Sequence, residues 1–202
     1  MTDTGSKDRF SEIRRTTAET DIHITLDLDG RGQSEIATGI GFFDHMLTAF
    51  ARHGFFDLTA HVKGDLEVDT HHTVEDTGIV LGQAIAEAVG GKKGIRRYGS
   101  FALPMDDALV LCSLDLCGRA CYRSDISFTA ERIGSFETET FDEFFTAVAS
   151  NAMMNLHFRN LGGTNCHHIA EASFKAFARA LDQAVSFDPR LTDVLSTKGS
   201  LS

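Results

Sequence analysis

Cysteine is scarce in this chain and poorly spaced for chemistry. Four occur in 202 residues, Cys112, Cys117, Cys121 and Cys166, and no two form a C-x-x-C pair. That excludes the disulfide framework of a small secreted scaffold and leaves no thiolate to steer the choice of a metal. Plain buried or half-buried thiols in a reducing compartment are expected. Basic charge is short as well: 19 Lys and Arg against 29 Asp and Glu give a formal net charge of −10. A nucleic-acid partner, whose phosphates demand a basic face, is not expected. A small anion stays open to a local cluster of Arg and Lys. No run approaches the ~20 apolar residues of a membrane span, so no membrane partner is expected. The opening MTDTGSKDRF lacks the apolar stretch of a secretory leader, and a cytoplasmic location follows as the expectation. Gly39-x-Gly41 lacks the third glycine and the β-α-β context of a dinucleotide fingerprint, and no Walker A, G-x-S-x-G or Cys-His nucleophile motif occurs.

What is present is ordinary globular material, 42 % hydrophobic and 24 % charged, enough for a core without staples. The chain also says one thing twice. Thr70-His71-His72-Thr73-Val74-Glu75 overlies Cys166-His167-His168-Ile169-Ala170-Glu171 at an offset of 96 (71 to 167), and both run on into small-residue helical stretches. Upstream, Phe43-Asp44-His45 overlies Phe141-Asp142-Glu143 at an offset of 98 (43 to 141). A duplicated half of roughly 90 residues is the simplest account of such self-similarity.

The coarse elements agree with a duplication. Asp21 to Leu28 alternates as a strand, Asp29-Gly30 reads as a hairpin turn, and a second strand runs through Ile36. Phe42 to His53 has helical spacing, with Phe43, Met46, Leu47 and Phe50 on one side. A strand over Phe55–Lys63 and a helix over His71–Val89, stopped by Gly90-Gly91, complete the half. The second half predicts strands at Phe101–Met105, Leu109–Leu116 and Ala120–Ile126, a helix at Phe141–Asn151, a strand at Asn155–Arg159 and a helix at His167–Val185. The fold class expected is α+β: internally duplicated β-β-α-β-α halves, two sheets packed with helices in layers. The organisation expected is a flexible N-terminus (1–8), a single catalytic domain (9–188) of two halves (about 9–95 and 96–188), and a tail (189–202).

His-His-x-x-Glu at a helix start has a geometric meaning. Residues three or four apart share a face, so Glu75 can join His71 or His72, and Glu171 can join His167 or His168. Adjacent histidines diverge by about 100°, so they address two places more readily than one ion. Two such helices related by an internal pseudo-twofold can supply two metal sites, with His45 and Glu143 available from the upstream repeat. Imidazole mixed with carboxylate suits Mn, Fe, Ni or Zn. His23 and His61 alternate with apolar strand residues and read as surface or satisfied core positions. His53 ends the helix that carries His45, and His157 lies in a strand. For an anion, the basic glycine-rich connection Gly91 to Gly99 with Arg96 and Arg97, the turn at Gly118-Arg119, and Ser196-Thr197-Lys198-Gly199 together make a phosphate site plausible.

Taken in order, Gly41-Phe42-Phe43-Asp44-His45-Met46-Leu47, Asp69-Thr70-His71-His72-Thr73-Val74-Glu75-Asp76, His167-His168-Ile169-Ala170-Glu171 and Ser196-Thr197-Lys198-Gly199 resemble the imidazoleglycerol-phosphate dehydratases of histidine biosynthesis. The resemblance spans nearly the whole chain, from Arg14 to Gly199. It implies a hydro-lyase that removes water from D-erythro-1-(imidazol-4-yl)glycerol 3-phosphate to give imidazole acetol phosphate. It implies two Mn²⁺ ions per active site and a homo-oligomeric shell of 24 subunits with sites between subunits. One ion would be held by His45, His71, His167 and Glu171, the other by His72, Glu75 and His168. The family pattern has a histidine where this chain has Glu143, so either that carboxylate or water completes the second set. Glu19 matches the acid/base glutamate, Arg97, Arg119, Ser196 and Lys198 the phosphate contacts, and His53 a substrate contact. Two rival readings use the same ligands: a two-metal phosphatase, and a metal-pinned scaffold or storage protein. The histidine-rich ligand set disfavours the first, and the strand-rich halves disfavour the four-helix bundles typical of the second.

Overall fold

The computed structural model describes residues 9–201, and the flexibility expected for residues 1–8 lies outside them. The first half runs β1 (Phe10–Thr16), β2 (Thr20–Asp27), β3 (Ser34–Ala37), α1 (Gly41–Gly54), β4 (Asp57–Gly64) and α2 (His71–Val89). The second runs β5 (Tyr98–Met105), β6 (Ala108–Asp115), β7 (Cys121–Ser124), a short hairpin of β8 (Arg132–Ile133) and β9 (Phe136–Glu137), then α3 (Thr140–Ala152), β10 (Asn155–Gly162) and α4 (Cys166–Val185). The sheets have one topology: β1-β2-β4-β3 repeats as β5-β6-β10-β7. The α+β class, the duplication and the sheet-and-helix layering are as expected. The β8–β9 hairpin is the main addition of the second half.

Two local expectations are corrected. Asp29-Gly30 does not close a hairpin, because β4 lies between β2 and β3 and β3 runs parallel to β4. The turn wraps the start of β4 instead, where the Asp57 carboxylate accepts the N–H groups of Arg31 and Gln33, both at 2.8 Å. The first half also opens one strand earlier than alternation revealed. β1 pairs with β2 along its full length, yet only Ser11 of its seven residues is buried, so it has no apolar alternation to read.

In β2, Thr20, Ile22, Ile24 and Leu26 face inward, and in β6 Ala108, Val110, Cys112 and Leu114 do the same. These faces carry the helices. α2 packs on β1, β2 and α3, while α4 packs on β5, β6 and α1. Helix pairs therefore cross between the halves. Gly78 and Gly82 of α2 permit the first crossing: a β-carbon there would stand 2.6 Å from the Phe144 carbonyl oxygen and 2.7 Å from that of Val148. Of the chain's 16 phenylalanines, Phe43 and Phe50 of α1 and Phe174 and Phe177 of α4 are buried at the second crossing. Phe50 of α1 stacks on Phe177 of α4 at 5.4 Å between centroids, and Phe43 meets Phe144 at 5.3 Å and Phe174 at 6.4 Å. Each fully buried ring contributes about 1.5–3 kcal/mol of transfer free energy.

The β8–β9 hairpin supplies a helix cap. Glu137 accepts from the Thr70 backbone N–H at 3.2 Å and from its hydroxyl at 2.9 Å, at the start of α2, where Thr70 makes no side-chain cap of its own. These bonds, the hydroxyl first, hold the Glu137 carboxyl below its ordinary range. Because folding favours the charged form, this stabilisation is present above the usual glutamate pKa of about 4.3 and is lost as pH falls below it. Glu137→Ala is expected to cost about 1 kcal/mol in urea unfolding at neutral pH, with the difference from the parent chain shrinking at acidic pH.

Candidate metal centre

Three ligating side chains converge where α1 meets the first turns of α4. Asn165 caps α4 by accepting the His168 N–H at 3.2 Å. That cap fixes the first turn, so His167 and Glu171, one turn apart, share a face. His167 Nε2 lies 3.2 Å from Glu171 Oε2, and His45 Nε2 reaches across from α1 to 3.6 Å of the same oxygen. One ligand atom from each of His45, His167 and Glu171 lies within 4.8 Å of the others. Ligands about 2.1 Å from a common ion are about 3–4 Å apart, so this donor set fits a divalent cation.

Glu171 is only 6 % exposed. Burial pushes its carboxyl up, but the hydrogen bond and charge of Lys175, with the charge of His45, outweigh burial and hold it below its ordinary value. Lys175 Nζ sits 2.5 Å from Glu171 Oε1. The imidazole of His53, further along α1, is held below its ordinary pKa by burial first and by the Lys175 charge second.

The first half offers a matching but incomplete arrangement. His71 Nε2 and Glu75 Oε2 are 3.6 Å apart on α2. The adjacent rings stand edge to face, with interplanar angles of 81° between His71 and His72 and 80° between His167 and His168. His72 turns Nδ1 to Asp65 at 2.9 Å and faces Glu19 with Nε2 at 3.9 Å. The Asp65 hydrogen bond is the main reason its imidazole is raised above the ordinary value. His168 binds Asp107 through Nδ1 at 2.6 Å. Glu143 stands half-buried on α3, the helix packed against α2. Within one chain His71 does not join the cluster of His45, His167 and Glu171, because α1 packs with α4 and α2 with α3.

Glu19 rides on a tight turn whose shape is set by Thr17 Oγ1, which accepts the N–H groups of Glu19 and Thr20 at 3.1 and 3.0 Å. The turn is anchored to α2 through Asp76, which is 7 % exposed. Asp76 accepts the Thr20 hydroxyl at 2.5 Å and pairs with Arg15 at 2.5 Å.

Arg97 immediately precedes β5. Arg97, in the left-handed region with φ 70°, forks onto Asp115 at 2.7 and 2.9 Å. Its Nη1 donates to the Leu195 carbonyl at 2.7 Å, and Gly94 N–H reaches Asp193 O at 3.2 Å, so the segment carrying Ser196 and Lys198 lies folded onto this connection. Leu116 N–H donates to Arg97 O at 3.1 Å, which brings the Gly118-Arg119 turn alongside. The sequence had assigned no role to Lys175, Asp65, Asp76 or Asp107. Lys175 was open to recognition, four residues beyond Glu171. The aspartates come together with their partners only in three dimensions.

The family model described as imidazoleglycerol-phosphate dehydratase matches residues 38–181. A relative of that name from Lachnoclostridium phytofermentans is 60 % identical over 96 % of this chain and 98 % of its own. One from Acetivibrio thermocellus is 58 % identical over 96 % of this chain and all of its own. Crystal structures of imidazoleglycerol-phosphate dehydratase from Staphylococcus aureus and of IGPD from Pyrococcus furiosus, the latter in complex with (S)-C348, each superpose with a TM-score of 0.80 at 38 % identity. They cover 89 % and 94 % of this chain and 99 % and 100 % of theirs. With matched motifs, duplicated fold and full-length similarity in agreement, the chain belongs to the imidazoleglycerol-phosphate dehydratase family.

Proposed function

We propose that this chain is an imidazoleglycerol-phosphate dehydratase, a carbon–oxygen lyase of L-histidine biosynthesis that converts D-erythro-1-(imidazol-4-yl)glycerol 3-phosphate to imidazole acetol phosphate. The observation that carries the reading is the convergence of His45, His167 and Glu171 on one point in a chain of this family. We assign Mn²⁺ as the cofactor, two ions per active site. His45, His71, His167 and Glu171 would hold one; His72, Glu75 and His168 would hold the other, with Glu143 or a water completing it. Ligands that one chain keeps apart would then meet across a contact with a second copy, in keeping with a homo-oligomer of 24 subunits. Residues 9–188 would form the catalytic domain and residues 189–202 the tail that carries part of the phosphate site. The location proposed for this biosynthetic role is cytoplasmic; among the described residues no helix is long and apolar enough to cross a membrane.

No carbonyl adjoins the C–H bond to be broken, so the imidazole ring must be the electron source for departure of the neighbouring hydroxyl. Bound there, divalent ions would supply Lewis acidity to the ring nitrogens. Glu19 takes the proton from carbon and returns one to the leaving oxygen. One C–H and one C–O bond break, water leaves, and the resulting enol tautomerises to the ketone. Arg97, Arg119, Ser196 and Lys198 grip the phosphate, and His53 contacts the substrate, fixing the reacting carbons relative to Glu19. Arg97 is already oriented by Asp115.

The test is a dehydration assay on protein stripped with chelator and reloaded with Mn²⁺. Ketone that appears only with metal supports substrate, reaction and cofactor together. Full metal loading with no ketone, or release of inorganic phosphate instead, would return the site to the scaffold or phosphatase reading.

A further inference from the structure

The second histidine of each motif is gripped in the same way by unrelated loops. His72 presents Nδ1 to Asp65 Oδ2 at 2.9 Å, and His168 presents Nδ1 to Asp107 Oδ1 at 2.6 Å. Asp65 follows β4, whereas Asp107 sits in the turn between β5 and β6. The repeat that relates α2 to α4 does not relate these two carboxylates. A shared contact built from non-equivalent positions is not a relic of duplication; it answers a need the two histidines have in common. An ionised carboxylate can only accept, so the contact makes Nδ1 the N–H and leaves the lone pair of a neutral ring on Nε2. Those Nε2 atoms lie 3.9 Å from Glu19 Oε1 for His72 and 3.4 Å from Asp106 Oδ2 for His168.

Asp65 carries a second mark. Its Oδ1 is buried without a hydrogen-bond partner, and His72 is the one group its carboxylate bonds among the described residues. A half-buried carboxylate with one oxygen shut off from water and left without a donor costs free energy, so folding alone gives no reason to keep it. Asp107 does more, since it also accepts the N–H groups of Thr164 at 2.8 Å and Asn165 at 3.2 Å ahead of α4.

We propose that Asp65 and Asp107 are positioning residues that fix the tautomer and orientation of His72 and His168, so that each presents Nε2 to a divalent ion. The inference rests on the metal-centre reading above. Carboxylates placed behind ligating histidines are typically worth about 10–100-fold in metal affinity.

The experiment titrates Mn²⁺ into the full-length parent chain, Asp65→Asn and Asp107→Asn, follows free Mn²⁺ by electron paramagnetic resonance, and records the Tm of each. Asparagine keeps the shape and an acceptor oxygen for Thr164 and Asn165 but removes the charge. Binding weaker by about 10–100-fold at an unchanged Tm is expected for both variants. A merely structural role would lower Tm and leave the affinity of the folded protein unaltered. Parental affinity in both variants overturns the proposal. Should Asp107→Asn fail to fold, Asp65→Asn decides alone, because its carboxylate has no second contact to lose. A parent chain that binds no Mn²⁺ would overturn the metal reading beneath, an outcome distinct from parental affinity in the variants.

Discussion

Glu19→Gln is expected to leave bound metal unchanged while lowering kcat by about 10²–10⁴-fold, the usual share of a general acid/base. The side chain stands apart from the converging ligands: it is 54 % exposed, and His72 Nε2 is 3.9 Å away. Glutamine preserves its length and its weak contact but cannot carry a proton between carbon and oxygen. The turn beneath it should not move, because Thr17 shapes it and Asp76 anchors it through Thr20. Folding stability should change by less than about 0.5 kcal/mol, as for most exposed substitutions. Steady-state kinetics and elemental analysis of the same preparation read both quantities. Loss of metal in the variant would refute the proton-transfer role.

His167→Ala should fail in the complementary way, with metal and turnover lost together. Its imidazole lies 3.2 Å from Glu171 Oε2 and 6.1 Å, centroid to centroid, from His45. Its removal leaves His45 and Glu171 in the chain, with His71 from a second copy, one donor short of the four-residue set proposed for this ion. The fold should survive, because Glu171 keeps the Lys175 ammonium as its partner at 2.5 Å. The expected effect is a fall in turnover of at least about 10²-fold, since Lewis-acid stabilisation is worth several kcal/mol. Full occupancy in the variant, measured by the same metal analysis, would sink the ligand assignment.

The contrast between these variants follows from what could be read in the sequence. The two His-His-x-x-Glu motifs were legible because a helix converts spacing directly into direction, and α2 and α4 begin at or one residue before those histidines. α1 was legible from Phe43, Met46, Leu47 and Phe50, all of which are buried. β1 was not, because Arg14 and Arg15 and their neighbours leave it without an apolar face. The Asp29-Gly30 turn misled for a related reason: turn chemistry reports that the chain reverses, not which strand it meets next. The roles of Asp65, Asp76 and Asp107 were out of reach because each acts on a residue from another element, and nothing in local spacing records that meeting.

The phenylalanines that cross between α1 and α4 also bear on how the molecule comes apart. Phe50 on Phe177, and Phe43 against Phe144 and Phe174, belong as much to one half as to the other. A fragment holding one repeat would expose those rings to water and would tend to associate or aggregate. The two halves should therefore melt as one cooperative unit, in a single transition on which different probes coincide. An ancestor of half this length would have needed a twin to cover the same rings, and joining two copies in one polypeptide makes that pairing independent of concentration.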